Sequence, residues 1–275
     1  MTPSTHRARK RFGQHFLTDE GIIEGILRIL APSPTDNLIE VGPGLGALTL
    51  PLLERGMTLT LIELDRDLVE RWRRHPAQDR LTLISQDVLT VDFAQFGNAW
   101  RLLGNLPYNI STPLLFHLVP HAASLKDALF MLQKEVVDRL VAAPDTSDYG
   151  RLSVMLQYHF HMEALLEVPP QAFTPPPKVN SAIVRLIPKL PHERPECNPV
   201  ALSRVVAQAF SQRRKMLRST LKGNLPAEAW DRLGIDPQRR AETLTLEEFC
   251  QLSKVFTAPR DFPENSRENT GPDCR

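Results

Sequence analysis

Cysteine is scarce in this chain of 275 residues: there are three, an odd number, far apart along the sequence. Cys197, Cys250 and Cys274 have neither metal-ligand nor redox spacing. This argues against a disulfide framework, a zinc site or a thiol-disulfide motif, and predicts free thiols in a reducing cytosol. Long apolar runs are also missing. The best, Ile22 to Leu30, is broken by Glu24 and Arg28, so no membrane span is expected. The basic N-terminus is not followed by the apolar core of a signal peptide, and a cytoplasmic location is expected. No internal repeat is present. The eight histidines form no ligand-like cluster, since His159 and His161 merely alternate on one strand face, so no metal is expected. Charge of one sign is lacking overall: the formal net charge is +1, so composition alone does not point to nucleic acid.

What is present is an ordinary soluble composition, 42% hydrophobic and 24% charged, in a chain long enough for one large domain plus a smaller one. Thr18 or Asp19 can cap a helix with apolar positions Ile22, Ile23, Ile26, Leu27 and Leu30, ended by Pro32 and Pro34. Short apolar strands then alternate with helices. Strands are expected at Leu38–Val41, Thr58–Ile62, Leu81–Ile84, Trp100–Leu103 and Ala128–Leu132. Helices are expected at Ala47–Arg55, Arg66–Arg74, Leu114–Val119 and Glu135–Val141. This α/β alternation implies a mostly parallel sheet covered by helices on both faces. After Gly150 the rhythm changes. A helix over Leu152–Tyr158 precedes two strands, His159–Val168 and Val179–Ile187, with no helix between them, which should pair as an antiparallel edge hairpin. The Pro-rich stretch Pro188–Pro199 reads as a linker. Helices follow at Val200–Phe210, Arg214–Leu221, Ala227–Leu233 and Leu246–Val255, a small all-helical C-terminal domain. The expected organisation is therefore a basic arm (1–17), an α/β domain (18–190), a helical domain (199–257) and a polar, disordered tail (258–275).

Candidate chemistry gathers at strand ends. Glu40-Val41-Gly42-Pro43-Gly44-Leu45-Gly46 joins a strand to a helix, and its glycines let the backbone approach a ligand closely; a plain strand-to-helix turn is the competing reading. Pro43 removes one backbone donor and Glu40 places an anion at the entrance, which is awkward for a phosphate but suits an ammonium or sulfonium group. Glu63 ends the second strand, where an acid can accept from both ribose hydroxyls. It can equally be a solvated acid in the run Glu63, Asp65, Asp67. Asp87 follows the third strand, as an acceptor for an adenine amine or as a turn cap. Ribose, adenine and a cationic amino-acid portion describe S-adenosylmethionine better than a dinucleotide. At the end of the fourth strand, Asn105-Leu106-Pro107-Tyr108 combines an amide, a carbonyl aimed by the following proline and an aromatic face, which suits a flat base carrying an exocyclic amine. Phe173, in the loop between the last two strands, is the natural second aromatic wall or else a core phenylalanine; Lys178 meets a phosphate or caps the loop.

Two clusters are basic without compensating acids. One is Arg7, Arg9, Lys10 and Arg11. The other is Arg204, Arg213, Arg214, Lys215, Arg218 and Lys222, in a stretch between Pro199 and Gly223 that holds no Asp or Glu. Such a run can be a solvated helix face; here the missing acids favour phosphate neutralisation.

The glycine turn, the acids at Glu63 and Asp87, and Asn-Leu-Pro-Tyr occur in the order seen in class I methyltransferases that act on adenine N6. Lys10-Arg-Phe-Gly-Gln-His-Phe-Leu17, Gly104-Asn-Leu-Pro-Tyr-Asn-Ile-Ser-Thr-Pro113, Met131-Leu-Gln-Lys-Glu-Val-Val137, Phe173-Thr-Pro-Pro-Pro-Lys-Val179 and Phe210-Ser-Gln-Arg-Arg-Lys215 narrow the likeness. From about Arg7 to Leu252 the chain resembles the bacterial small-subunit (16S) ribosomal RNA adenine dimethyltransferases. The resemblance implies a class I, Rossmann-like methyltransferase fold, S-adenosyl-L-methionine as cofactor, and a monomer. Its implied substrate is two adjacent adenines in the 3′-terminal hairpin loop of 16S rRNA, within an immature small subunit. It further implies cofactor contacts from His15, Leu17, Gly42, Glu63, Asp87 and Asn105. His15 stands where the family commonly has asparagine.

Four other readings remain. An assembly factor would act mainly by occupying the immature subunit. An Erm-type enzyme acting on 23S rRNA shares the catalytic motifs, but the long basic helical domain and the Phe-Thr-Pro-Pro-Pro-Lys loop favour the small-subunit enzyme. A DNA adenine methyltransferase would more often read Asp-Pro-Pro-Tyr and carry a target-recognition insert. An NAD dehydrogenase leaves Asn-Leu-Pro-Tyr unexplained.

Overall fold

In the computed structural model, which describes residues 15–257, the strands are β1 (Phe16–Leu17), β2 (Asn37–Val41), β3 (Leu59–Ile62), β4 (Leu81–Ile84), β5 (Trp100–Asn105), β6 (Leu125–Gln133), β7 (Phe160–Val168), β8 (Phe173–Thr174) and β9 (Ser181–Pro188). Seven form one sheet in the order β4-β3-β2-β5-β6-β9-β7. The first five are mutually parallel, while β9 runs antiparallel to both β6 and β7. The expected edge hairpin is therefore present. From β2 the chain winds outward through β3 and β4, then returns to place β5 on the other side of β2. That reversal leaves a crevice at the carboxyl ends of β2 and β5, where open α/β sheets bind ligands.

Alternation along the strands splits the core between the two sheet faces. Ile39, Val41, Leu102 and Phe130 belong to one apolar cluster; Leu38, Leu61, Leu103, Leu129 and Met131 belong to the other. The covering helices are α1 (Glu20–Leu30), α2 (Thr49–Glu54), α3 (Arg66–Arg73), α4 (Tyr108–His117), α5 (Lys134–Val141) and α6 (Arg151–His159). Asp19 caps α1 by accepting from the Ile22 amide at 2.9 Å, and Ala31 closes the helix in the left-handed region, ahead of Pro32. At the end of the sheet away from the crevice, buried Arg101 donates to Asp127 and Asp36 at 2.7 and 2.8 Å and to the Leu30 carbonyl.

Two expectations differ here. The helix predicted from Leu114 begins six residues earlier, at Tyr108, and carries Pro113 inside it. The loop Pro169–Lys178 is not featureless: its β8 pairs antiparallel with β1, matching Phe16 to Thr174 and Leu17 to Phe173.

The chain forms two compact units. One runs from the start of the described residues to Ala143 and takes in Leu152–Arg194; the other comprises Pro144–Arg151 and the described chain from Pro195 on. The segment 144–151, expected inside an unbroken 18–190 domain, thus packs with the second unit. That unit holds α7 (Pro199–Ala209), α8 (Leu217–Thr220), α9 (Glu228–Leu233) and α10 (Leu246–Val255). Asn198 caps α7 and a Thr245/Glu248 capping box starts α10. Leu202, Val205, Val206, Phe249 and Leu252 are buried between them. The helix expected over Arg214–Leu221 shrinks to the four residues of α8, because Met216 is extended and bridges to Arg240. The cysteines also differ from their spacing: Cys197 and Cys250 remain thiols, but their sulfurs lie 3.2 Å apart. The arm 1–14 and the tail 258–275 lie outside the described residues.

Candidate active site

The glycine turn after β2 is held from two sides. The Gly42 amide donates to the Ile62 carbonyl of β3 at 2.9 Å, and the Trp72 indole of α3 donates to the Gly44 carbonyl at 3.1 Å. Gly46 has φ +99°, and a Cβ there would lie 2.7 Å from the Trp72 ring and 2.9 Å from Leu50. Only glycine fits this corner. A second close approach sits on β5, where a Cβ on Gly104 would come within 2.6 Å of the Val41 carbonyl. Glycine there lets β5 deliver Asn105 beside the turn.

Two acids at this edge are buried. Glu40 is 2% exposed and accepts from the Thr49 hydroxyl at 2.6 Å. Burial pushes its carboxyl up to about 7, Thr49 pulls against that shift, and nearby Glu63 adds to it. Glu63 is 7% exposed, and its Oε1 accepts from the amides of Leu64 and Asp65 at 2.9 and 2.8 Å. Burial also pushes Glu63 above the usual carboxylate range, while the amides of Asp65, Gly44 and Leu64 draw it back. Asp87 caps the turn Val88–Thr90 by accepting from the Leu89 amide at 3.0 Å, so the cap reading holds while the residue still faces the cavity.

At the end of β5 the Asn105 amide nitrogen donates to the His15 carbonyl at 3.0 Å. That bond sets the amide's orientation and leaves Oδ1 as the end turned away from it. The Pro107 carbonyl is engaged: it accepts from the Ile110 amide and the Ser111 hydroxyl, both at 3.1 Å, in the first turn of α4. Leu106 buries its side chain and donates its amide to Met131. Tyr108 stacks on His15, with centroids 6.1 Å apart and planes 25° apart. Phe173 lines the same cavity, is only 4% exposed and belongs to the core cluster with Leu17 and Ile183, so it is a core phenylalanine with an edge on the cavity.

His15, Leu17, Gly42, Gly44, Glu63, Asp87, Asn105–Tyr108 and Phe173 all line one cavity of about 380 Å³, a volume suited to a small-molecule cofactor with room for part of a second ligand. Among the described residues, the influences on buried Glu40 are burial, Thr49 and Glu63, with no cation. A pocket holding uncompensated acid fits a ligand that brings its own positive charge, and the open glycine turn admits its backbone-facing portion. Sequence reasoning missed Thr49, Trp72 and Gln86. Thr49 and Trp72 act through contacts on Glu40 and Gly44, and Gln86 lines the cavity beside Asp87; nothing in their spacing marks them.

The basic residues divide. Arg214, Lys215, Arg218, Lys222 and Lys178 are exposed, and Arg204 is half-buried. Arg213 is exposed but committed: its Nε donates to Glu242 at 2.9 Å and its Nη2 to the Ser147 carbonyl. The acid missing from 199–223 is supplied from elsewhere in the same unit. Arg7, Arg9, Lys10 and Arg11 lie outside the described residues. Among the described residues, no cluster of three His, Cys, Asp or Glu is placed to hold a metal, and no helix is long and apolar enough to cross a membrane.

Comparison with known proteins agrees with this geometry. In Bordetella pertussis, Ribosomal RNA small subunit methyltransferase A is 54% identical, with 93% of this chain and 96% of the relative covered. The protein of the same name in Thiobacillus denitrificans is 56% identical, with 89% and 96% covered. A dimethyladenosine transferase from Plasmodium falciparum shares the fold, with a TM-score of 0.76 at 24% identity over 88% of this chain and 99% of that one. The 23S rRNA methyltransferase ErmE has a TM-score of 0.67 at 25% identity over 87% and 98%. The family described as Ribosomal RNA adenine dimethylase matches residues 5–258, nearly the full length, and the chain belongs to that family.

Proposed function

We propose that this chain transfers methyl groups from S-adenosyl-L-methionine to N6 of two adjacent adenines in the 3′-terminal hairpin loop of 16S rRNA. Each adenine receives two methyls, within an immature small subunit in the cytoplasm, and the enzyme acts as a monomer. The observation that carries the reading is that one cavity holds both the three strand-end acids and Asn105–Tyr108. When bound, S-adenosylmethionine supplies an electrophilic methyl on a sulfonium.

The chain's own residues do the rest. Glu63 accepts from the ribose hydroxyls and Asp87 from the adenine amine of the cofactor, with Glu40 giving the pocket its negative charge. An adenine N6 lone pair is delocalised into the ring and poorly nucleophilic. For the first methyl, two acceptors aimed at its hydrogens, Asn105 Oδ1 and the Leu106 carbonyl, localise that pair. As the N6–C bond forms, the methyl–sulfur bond breaks to leave a neutral thioether and the N6 proton passes to solvent. The second transfer uses the one N–H that remains. Tyr108 offers a stacking face, worth about 1–3 kcal/mol per base, and Phe173 closes the other side. Orientation of the amine supplies most of the acceleration. A flipped base is needed to reach such a pocket. Arg214, Lys215, Arg218 and Lys222 neutralise phosphates, with the N-terminal basic residues and Lys178 as further contacts.

The test is transfer from labelled S-adenosylmethionine to under-methylated small subunits, naked 16S rRNA and 23S rRNA, followed by nucleoside analysis. Dimethyladenosine in small subunits is expected. Dimethyladenosine confined to 23S rRNA would refute the reading in favour of the Erm-type alternative. That alternative is weakened because relatives at 54–56% identity bear the small-subunit name while ErmE stands at 25%.

A further inference from the structure

Residue 15 joins three parts of the cavity wall. Its carbonyl accepts from Asn105 Nδ2 at 3.0 Å, its ring stacks on Tyr108, and its Nδ1 lies 2.8 Å from the Pro175 carbonyl. A carbonyl only accepts, so Nδ1 carries the hydrogen and donates. Below it, the same segment is zipped to the Phe173 loop: Phe16 pairs with Thr174, Leu17 with Phe173, and the Thr18 amide donates to Ala172 at 2.8 Å. His15 is the last rung of that ladder and the one whose other side touches Asn105 and Tyr108. Its side-chain hydrogen bond and its ring contact go to Pro175 and Tyr108.

We infer that His15 is a positioning residue for the target base, not a side-chain ligand of the cofactor. By binding Pro175 it locks residue 15, whose carbonyl then orients the Asn105 amide, and it couples the Asn105–Tyr108 wall to the Phe173 wall. This rests on the methyl-transfer reading above. The donor sits two bonds beyond Cβ, a position the amide nitrogen of asparagine also occupies, whereas phenylalanine keeps a ring for Tyr108 and has no donor.

The experiment uses full-length protein and under-methylated small subunits, measuring kcat at saturating substrates, the Kd of S-adenosylmethionine by calorimetry, and the unfolding midpoint. His15→Ala is expected to lower kcat on the order of tenfold to a hundredfold, the cost of misplacing a reacting group by about an ångström. Cofactor Kd should change less than about twofold, since the side chain is assigned to the base wall and not to the cofactor. His15→Asn should restore kcat to within a few-fold of the parent, and His15→Phe should resemble His15→Ala. Parent-like kcat in His15→Phe overturns the inference, as does His15→Ala weakening cofactor binding with kcat intact. If His15→Ala is unstable, the Asn and Phe variants still decide between donor and ring. Failure of the parent protein to methylate small subunits would instead sink the reading on which the inference rests.

Discussion

Asn105 presents two chemically different ends, and only one is committed. Nδ2 is held by the His15 carbonyl, so Oδ1 is the end available to a target amine. Asn105→Ala should therefore lower kcat on the order of a hundredfold or more, the usual cost of removing one positioned polar group from a reacting centre. The Kd of S-adenosylmethionine should move only a few-fold. Near-normal turnover would refute the assignment. Glu40 makes a separate prediction through its proton. Its carboxyl sits at about 7, above the ordinary value of 4.5, because it is buried. The folded state binds this proton more tightly than the unfolded one. Stability from this group is complete below about pH 4.5 and is lost as pH rises through about 7. A cationic ligand favours the carboxylate, so binding of S-adenosylmethionine near pH 7 should release protons. Calorimetry in two buffers of different ionisation enthalpy should detect that release, and Glu40→Gln should abolish it; equal release in the variant would place the titrating group elsewhere.

At the scale of elements, most of the sheet was legible because buried parallel strands are short, predominantly apolar runs, as in Leu38-Ile39-Glu40-Val41 and Leu59-Thr60-Leu61-Ile62. The misplaced start of α4 has a physical reason. An internal proline usually ends a helix, so Pro113 pushed the expected start past it, whereas the fold uses Pro107 as the N-cap and accepts the lost bond at Pro113. Strand β8 was invisible because its partner, Phe16–Leu17, is 156 or more positions away and two residues carry no periodicity. Sequence separation also hid Arg101, whose partners Asp36 and Asp127 lie 65 and 26 positions away. Asp36 shows what this network does. Burial alone would raise its carboxyl, but bonds from Lys126, Ser33 and Arg101 outweigh that and hold it at about 2. Its contribution is present above about pH 4 and lost as pH falls toward 2. Arg101→Met leaves Asp127 without its ion-pair partner and Asp36 with only Lys126 and the Ser33 amide, and should cost about 1–3 kcal/mol of unfolding free energy. Denaturant titration would show this, and a loss under about 1 kcal/mol would mean water or Lys126 compensates. Because Arg101 lies at the opposite end of the strands from the cavity, cofactor Kd at low temperature should be unchanged.

At the scale of the whole molecule, the proposed reading assigns catalysis and RNA binding to different side chains, so each should be removable separately. The basic cluster looked uniform in sequence, but packing leaves Arg214, Lys215, Arg218 and Lys222 exposed and ties Arg213 to Glu242 and Ser147. Lys215→Ala should weaken binding to under-methylated small subunits and reduce the slope of log affinity against log salt by about 0.7–0.9, the signature of one lost phosphate contact. Arg213→Ala should reduce that slope less and lower the unfolding midpoint more, since its donors already have protein partners; the reverse ranking would show that the Glu242 pair opens to RNA. The same logic separates the enzyme from an assembly factor that merely occupies the subunit. Glu63→Ala removes a buried acid of the cofactor cavity and touches none of the exposed cations. It should abolish methylation at ordinary cofactor concentration while leaving subunit affinity and its salt slope at the parent values. If subunits then mature normally in cells carrying only this variant, occupancy is the function that matters there and methylation is secondary. If they stall with the variant still bound, release must depend on the chemistry, and the cofactor cavity and the basic surface act as consecutive steps of one process.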